Sequence, residues 1–306
     1  MIKPKIVVTG AAGFIGSALS NSLVKDYDVI AIDNLTSGSW ARLDSSIRRI
    51  EMDLASASVD DLRGVFTGAE KICHLAAVKL NNPGQNSDQM LRTNILATRN
   101  IFEAAGLNSV GKVLFTSSLY AYGSMGPVQM LEEDIPFPTT LYGMTKLIGE
   151  QMLTSAANKY HFDAVIPRLF FIYGPGQFAD GGYKSVIVRN CEQLNLGLPA
   201  TIRGDGNQAL DYVYIDDCVA ALNSLVHKKV TGVVNLSSGV PQSVNKIVDT
   251  LLSFSSTSKT EYHEADWTAG SIRYGANERI RSLSGWTPVI AFSEGLERTW
   301  KYYETT

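Results

Sequence analysis

The sequence predicts an α/β protein built on a doubly wound parallel sheet, with a smaller, mixed α/β C-terminal lobe. Three observations predict it. Short apolar runs alternate with stretches of helical spacing through the first 173 residues, the pattern of a parallel sheet covered by helices on both faces. Gly10, Gly13 and Gly16 punctuate the junction between the first apolar run and the first helical stretch. Beyond Tyr173 the texture changes, and Gly174, Pro175, Gly176, Gly181 and Gly182 mark a loop that leaves the sheet.

Taken in order, residues 5–9 read as the first strand and 14–24 as the first helix. Runs at 29–32, 47–52, 71–75 and 112–117 supply four more strands, with a long helix over 90–105 between the last two. A helix over 142–160 precedes a strand over 164–171. Residues 212–215 and 233–236 are again strand-like, so the chain is expected to re-enter the main sheet there and the lobes to interleave. The expected division is 1–173 for the sheet domain, with re-entrant segments near 209–236, and 174–306 for the second lobe. A length of 306 residues accommodates both, at roughly 150 residues per domain.

Composition excludes several classes. With 27 Lys+Arg against 30 Asp+Glu, a net charge of −3, 45% hydrophobic residues and a mean hydropathy of 0.00, the chain is not disordered. No apolar run approaches the ~20 residues of a membrane helix, so no membrane partner is expected. A pI near 5.8 argues against nucleic acid, which needs a clustered basic surface. Cys73, Cys191 and Cys218 are odd in number and widely spaced, which fits a reducing cytosol. Glycines interrupt the apolar run after MIKPK before it could serve as a signal core. The chain is therefore expected to be cytoplasmic and unprocessed, and no metal site is assigned.

Thr9-Gly10-Ala11-Ala12-Gly13-Phe14-Ile15-Gly16 follows the first strand and opens the first helix. The first glycine permits the turn, the second lets backbone approach a pyrophosphate, and the third allows close helix packing, while the helix N-terminus offers amides to the anion. Asp33 stands 17 residues after Gly16 at the end of the second strand. Its carboxylate suits a ribose and repels a 2′-phosphate. This is a dinucleotide-binding Rossmann pattern, and the lack of Arg or Lys between Asp33 and Trp40 favours NAD over NADP.

The three-and-three glycine spacing resembles the TGxxGxxG of the extended short-chain dehydrogenase/reductases, the family of nucleotide-sugar epimerases and dehydratases, and the resemblance runs through most of the chain. Asp33-Asn34-Leu35-Thr36-Ser37-Gly38 resembles the family's ribose-contacting segment. Asp53-Leu54 is similar to its adenine-contacting pair, His74-Leu75-Ala76-Ala77 to its fourth-strand motif, and Asn94 to its helix asparagine. The resemblance implies a cofactor site of Gly10, Gly13, Phe14, Ile15, Gly16, Asp33, Asn34, Leu35, Ser37, Gly38, Asp53, Leu54, Leu75, Ala76, Ala77, Lys79, Asn94 and Phe170, joined by Tyr142 and Lys146. His74 itself reads as a packed strand-end residue.

Tyr142-Gly143-Met144-Thr145-Lys146 puts a phenol and an ammonium on one helical face. A nearby ammonium favours the phenolate and makes the tyrosine a usable base. Phe115-Thr116-Ser117-Ser118-Leu119-Tyr120-Ala121-Tyr122-Gly123 resembles the family's serine segment before a YG turn. The implied catalytic hydroxyl is Ser118, or Ser117 if the register slips by one. The family's chemistry is hydride exchange between a sugar carbon and nicotinamide, with Tyr142 moving the proton and Lys146 holding Tyr142 and the nicotinamide ribose. In the dehydratase branch an Asp-Glu pair follows the hydroxyl; here Leu119 and Tyr120 stand there, which disfavours water elimination. Lys79, five residues after His74, is similar to a lysine of UDP-galactose 4-epimerases. The resemblance thus implies an NAD-dependent epimerase acting on a nucleotide-diphosphate sugar at C4 through a transient keto intermediate. The alternatives are an NAD(P)H-dependent 4-ketoreductase and an epimerase or dehydrogenase of a non-nucleotide substrate. A redox-sensing protein without catalysis would need no Ser118, Tyr142 and Lys146 together.

Three positions depart from the family. Residues 167–177 resemble RxFNxYGPxQ, but Phe171 replaces the asparagine, Leu210 stands where a phosphate-contacting arginine is expected, and Trp267 aligns near the arginine of RPGD. Arginine supplies bidentate charge-assisted bonds to phosphate, so these losses weaken a diphosphate site. Either Lys184, Arg189, Arg203 or Arg273 replaces the charge, or the substrate is not an ordinary nucleotide sugar. The reading retained here keeps the nucleotide sugar, with contacts from Lys79, Ser118, Tyr120, Tyr142, Phe171, Lys184, Arg189 and Arg203. Trp286 reads as structural packing. The resemblance also implies a homodimer through a four-helix interface of the helices near 90–105 and 142–160.

Overall fold

The computed structural model describes residues 2–79, 87–123, 128–177, 184–266 and 268–305. The apolar runs become β1 (Lys5–Thr9), β2 (Asp28–Asp33), β3 (Arg48–Glu51), β4 (Ala69–His74), β5 (Lys112–Phe115) and the short β6 (Ser117–Ser118). They are followed by β7 (Gln129–Met130), β8 (Asp163–Leu169), β9 (Phe171–Tyr173), β10 (Ala200–Arg203), β11 (Ala209–Tyr214), β12 (Gly232–Leu236), β13 (Pro241–Ser243), β14 (Thr260–His263) and β15 (Ile272–Gly275). The main sheet has the order β12-β8-β5-β4-β1-β2-β3, with β6 beside β8, and its pairings are parallel. Chain order reverses between β1 and β4, and a crevice at the carboxyl ends of such strands is where this architecture places its ligand.

Helices cover both faces: α1 (Phe14–Leu23), α2 (Val59–Phe66), α3 (Ser87–Leu91), α4 (Thr98–Leu107), α5 (Leu141–Tyr160), α6 (Val186–Asn195), α7 (Ile215–His227), α8 (Val244–Leu252), α9 (Glu278–Ser284) and α10 (Phe292–Thr305). Successive strand residues face opposite layers. Ile6 and Val8 pack in one core with Leu19 and Leu23 of α1 and Leu222 and Leu225 of α7. Val7, Ile30 and Ile72 pack in the other with Leu62 and Phe66 of α2 and Ile101 and Phe102 of α4. Both faces being buried explains why the strands read as continuous apolar runs. The helix expected over 90–105 is interrupted: α3 and α4 are joined by a π-helical stretch, Arg92–Ala97.

One expectation is corrected. Residues 212–215 do not rejoin the main sheet; β11 instead belongs to a second sheet of order β13-β11-β15-β7, with β9 also on β11. The reason sits in the middle of β11. Asp211 is fully buried and needs donors that a sheet of apolar strands lacks. It finds them in loop amides, Ser238 at 2.7 Å, Gly239 at 2.9 Å and Gly275 at 3.3 Å, and in the Ser238 hydroxyl at 2.6 Å. Re-entry is made by α7, which packs on α1, and by β12, whose Gly232 to Leu236 pair with Val165 to Leu169. β10 and β14 form a separate parallel pair. No helix among the described residues is long and apolar enough to cross a membrane. The three cysteines are free and buried, and burial raises Cys73 and Cys191 to about 12.

Candidate functional site

A cleft of about 1300 Å³ opens at the β1/β4 reversal and runs between the two sheets. Its cofactor end is built by backbone. Gly10 adopts φ +67°, and a Cβ there would lie 2.7 Å from the Ala76 amide nitrogen; one on Gly16 would collide with the Gly10 carbonyl. α1 begins at Gly13 without a side-chain cap and with no acid in its first turn, whereas α2 carries a complete capping box from Ser58 and Asp61. The first-turn amides of α1 are thus left to an anion, favoured further by the helix dipole. Asp33 is held by the amides of Ala12 at 2.9 Å and Leu35 at 2.8 Å. Leu35 itself adopts φ 59°, a left-handed conformation uncommon outside glycine. These features fit a dinucleotide.

All the sequence-predicted cofactor residues line this cleft except Asn94. Asn94 lies buried on the π-helical stretch, where it accepts from the Val78 amide at 2.8 Å and donates to the Val78 carbonyl at 2.9 Å and the Thr145 hydroxyl at 3.1 Å. It therefore fixes the segment after β4 against α5. A π bulge is a common device for turning one side chain out of helical register. His74 is packed as expected, bonded to Thr9 at 2.7 Å and Thr98 at 2.9 Å, and burial drops its pKa to about 3, which keeps it neutral.

The catalytic residues predicted from sequence meet on one wall. α5 presents Tyr142 and Lys146, capped at its start by Thr140, and β6 presents Ser118; all three line the cleft. The Lys146 ammonium donates to the Thr116 carbonyl at 2.9 Å and sits 5.7 Å from the centre of the Tyr142 ring and 4.9 Å from that of Phe115. Ser117 also lines the cleft, but its hydroxyl donates to the buried Glu150 at 2.5 Å, whereas Ser118 is the hydroxyl that acts on the Tyr142 phenol. The expected lowering of the Tyr142 pKa by Lys146 is not what the structure gives. Burial raises the phenol well above its ordinary value, Tyr120 adds to the rise, and the Ser118 hydroxyl opposes it. Burial likewise pulls Lys146 down to about 7, with Glu150 opposing. Desolvation disfavours both charged forms and is the largest influence on each.

Beyond Tyr142 the wall is aromatic. Tyr120 meets Tyr142 edge-on at 5.9 Å and Phe171 at 6.4 Å, and Phe171 meets Tyr212 at 5.8 Å. Lys79 places its ammonium 5.4 Å from the Tyr120 ring centre and 6.0 Å from that of Tyr142. Lys79 is exposed over its length, yet the protein around its ammonium desolvates it and lowers its pKa. Of the replacement cations, Arg189 and Arg203 line the cleft. Lys184 pairs with Glu192 at 2.7 Å and is not among the lining residues. Leu210 lines the cleft, and its register neighbour on β15 is Arg273, whose guanidinium lies 5.9 Å from the Tyr120 ring centre. Trp267 lies outside the described residues, between Asp266 and Thr268, which line the cleft.

Sequence reasoning missed several residues. Arg42, Gln177, Ser185, Gln208 and Tyr212 also line the cleft, and only their place in the fold reveals it. The buried pair behind the catalytic wall did leave a signal, since Arg168 is a charge inside an apolar strand run. Its guanidinium grips Glu150 in two bonds, 2.9 and 2.7 Å. Among the described residues no group of His, Cys, Asp and Glu is arranged to hold a metal.

A profile of the family described as NAD dependent epimerase/dehydratase matches residues 6–251. The UDP-glucose 4-epimerase of Mycolicibacterium smegmatis is 30% identical, over 98% of either chain. Among solved structures, the UDP-N-acetylglucosamine 4-epimerase of Methanobrevibacter ruminantium, in complex with UDP-N-acetylmuramic acid, superposes with a TM-score of 0.93 at 27% identity, covering 100% of this chain and 99% of that one. The UDP-glucuronic acid 4-epimerase of Bacillus cereus, bound to UDP-glucuronic acid and NAD, does so with 0.88 at 29% identity, covering 98% and 99%. With the glycine cradle, the uncapped helix and the Ser118, Tyr142 and Lys146 wall in one cleft, the chain belongs to the NAD dependent epimerase/dehydratase family.

Proposed function

We propose that this protein is an NAD-dependent epimerase that inverts C4 of a nucleotide-diphosphate sugar. The observation that carries the reading is the convergence of Ser118, Tyr142 and Lys146 in the cleft that also holds the glycine cradle. NAD, when bound in the cleft of the glycine cradle, would supply a hydride acceptor and donor for C4. The chain's own residues manage the proton. Tyr142 takes it from the C4 hydroxyl as the phenolate, the form that burial opposes and Ser118 favours, and gives it back as the neutral phenol when the carbonyl is reduced, so no proton or electron is gained or lost over the cycle. Ser118 hydrogen-bonds the same oxygen and opposes the burial that holds the phenol neutral. Lys146, fixed by the Thr116 carbonyl, brings positive charge beside the phenol and the nicotinamide ribose.

The main sheet, in this reading, serves the cofactor, and the second and third sheets serve the nucleotide sugar. Leu119 and Tyr120 supply no carboxylates for elimination, which supports epimerisation over dehydration. The diphosphate is met by Arg189 and Arg203, which line the cleft, with Arg273 paired to Leu210 outside the lining. We place the protein in the cytoplasm, where its three unpaired, buried thiols stay reduced. It acts as a homodimer: Leu91 and Leu96 on the helical stretch before α4, and Leu141, Met144 and Ile148 at i, i+3 and i+7 of α5, are exposed apolar residues in a pattern suited to a helix-to-helix contact.

The test is incubation with a panel of UDP-, CDP-, GDP- and dTDP-hexoses without added cofactor. Interconversion of C4 epimers, with NAD released on denaturation, is the expected result. A requirement for stoichiometric NADPH and a 4-keto sugar would replace the epimerase with a reductase.

A further inference from the structure

Ser117 stands between Thr116 and Ser118, is buried, and takes no part in the proton transfer. Each of these three residues ties to α5 by a different group. The Thr116 carbonyl accepts from the Lys146 ammonium at 2.9 Å, the Ser117 hydroxyl donates to Glu150 Oε1 at 2.5 Å, and the Ser118 hydroxyl bonds the Tyr142 phenol. Tyr142, Lys146 and Glu150 are spaced at i, i+4 and i+8 and so form one stripe of the helix. The middle bond leaves the reacting groups free and still fixes the backbone between them.

The far side of this anchor is itself held. Glu150 and Arg168 are both buried. Arg168 is the register partner of Ser117 on β8 and donates to both Glu150 oxygens, from Nε at 2.9 Å and from Nη2 at 2.7 Å. Its guanidinium lies 4.4 Å from the Tyr122 ring centre, and the Tyr122 hydroxyl donates to Asn235 of β12 at 2.7 Å. Catalytic strand, catalytic helix and main sheet therefore meet at one carboxylate. Gly149 lets α5 come this close, since a Cβ there would lie 2.5 Å from the Phe115 ring. A buried ion pair is weak evidence for stability, because apolar residues of similar volume often do as well; what it can add is a single fixed arrangement.

Resting on the assignment of Ser118, Tyr142 and Lys146 as the catalytic residues, we propose that Ser117 and Glu150 are positioning residues for them. Their bond holds residues 116–118 against α5, and so sets the Thr116 carbonyl at Lys146 and the Ser118 hydroxyl at Tyr142. Arg168 keeps the carboxylate where Ser117 can reach it.

Ser117→Ala in the NAD-loaded protein tests this, because it removes the hydroxyl and leaves both bonds between Arg168 and Glu150. For C4 interconversion of UDP-hexoses kcat should fall about tenfold, while KM and bound NAD stay within about twofold. In a crystal structure of the variant, the contact between Lys146 and the Thr116 carbonyl should open beyond about 3.5 Å. Ser117→Thr restores the hydroxyl and should recover kcat to within about threefold of the parent. A bond that only stabilised the fold would lower the urea midpoint of Ser117→Ala and leave kcat unchanged, which would overturn the proposal. So would a Lys146 contact left intact in that variant, whatever the turnover, or a folded Ser117→Thr no faster than Ser117→Ala. An opened contact in a protein that interconverts no C4 epimers would sink the epimerase reading and leave this one standing; interconversion unaffected by Ser117→Ala would do the reverse.

Discussion

At Tyr142 burial and hydrogen bonding pull in opposite directions. The phenol is held neutral by desolvation and by the neighbouring Tyr120, and the Ser118 hydroxyl works the other way. Removing the hydroxyl in Tyr142→Phe removes the proton carrier and should cut turnover about 10²–10⁴-fold, with bound NAD unchanged in absorbance or release assays. Ser118→Ala should lower kcat less, since it removes one hydrogen bond and leaves the carrier. The pairing of Tyr142 with Lys146 could be read from their spacing of four. The direction of the phenol's shift could not, because it depends on how deeply α5 is buried against β6 and Phe115, a tertiary fact.

The helix and strand behind the catalytic wall are joined by the ion pair of Glu150 and Arg168, which also carries Ser117 and packs over Tyr122 at 4.4 Å. Arg168→Met leaves the Glu150 carboxylate buried without its partner and should cost about 3–5 kcal/mol in urea unfolding, whereas replacing both partners with apolar residues should cost less. β11 offers a pH test. Burial raises Asp211 to about 6, above the ~3.9 of an unfolded chain, so the folded state keeps this proton longer. Stability from this group is therefore complete below about pH 4 and is lost as pH rises through about 6. Asp211→Asn lacks that slope, and its stability relative to the parent should improve by up to ~3 kcal/mol between pH 4 and pH 7, measured by urea midpoints. The same carboxylate accounts for β11 lying outside the main sheet, where residues 212–215 were expected. Periodicity marks a buried strand and does not say which sheet it joins. The π-helical turn at Asn94 was likewise hidden, because its apolar pattern is that of the helices on either side.

Across the molecule, the division of labour follows from where the chain reverses around β1 and β4. The alternation of strands and helices, the glycine spacing and Asp33 made that crevice readable, since each is a local pattern with a fixed structural consequence. The exposed apolar face of α5 is a consequence at this scale as well. If the proposed dimer uses this face, Ile148→Glu combined with Met144→Glu should convert it to monomers in sedimentation velocity while leaving the fold intact by circular dichroism; a monomeric parent, or an unchanged dimer mass in the variant, would contradict this. The most direct measurement of the central claim is epimerisation of a UDP-hexose carrying deuterium at C4, in ordinary water without added cofactor. If one hydrogen leaves C4 and returns to the opposite face within the same closed cleft, the C4 epimer will retain its deuterium. Loss of the label to solvent, or label retained in a substrate that never inverts, would contradict it.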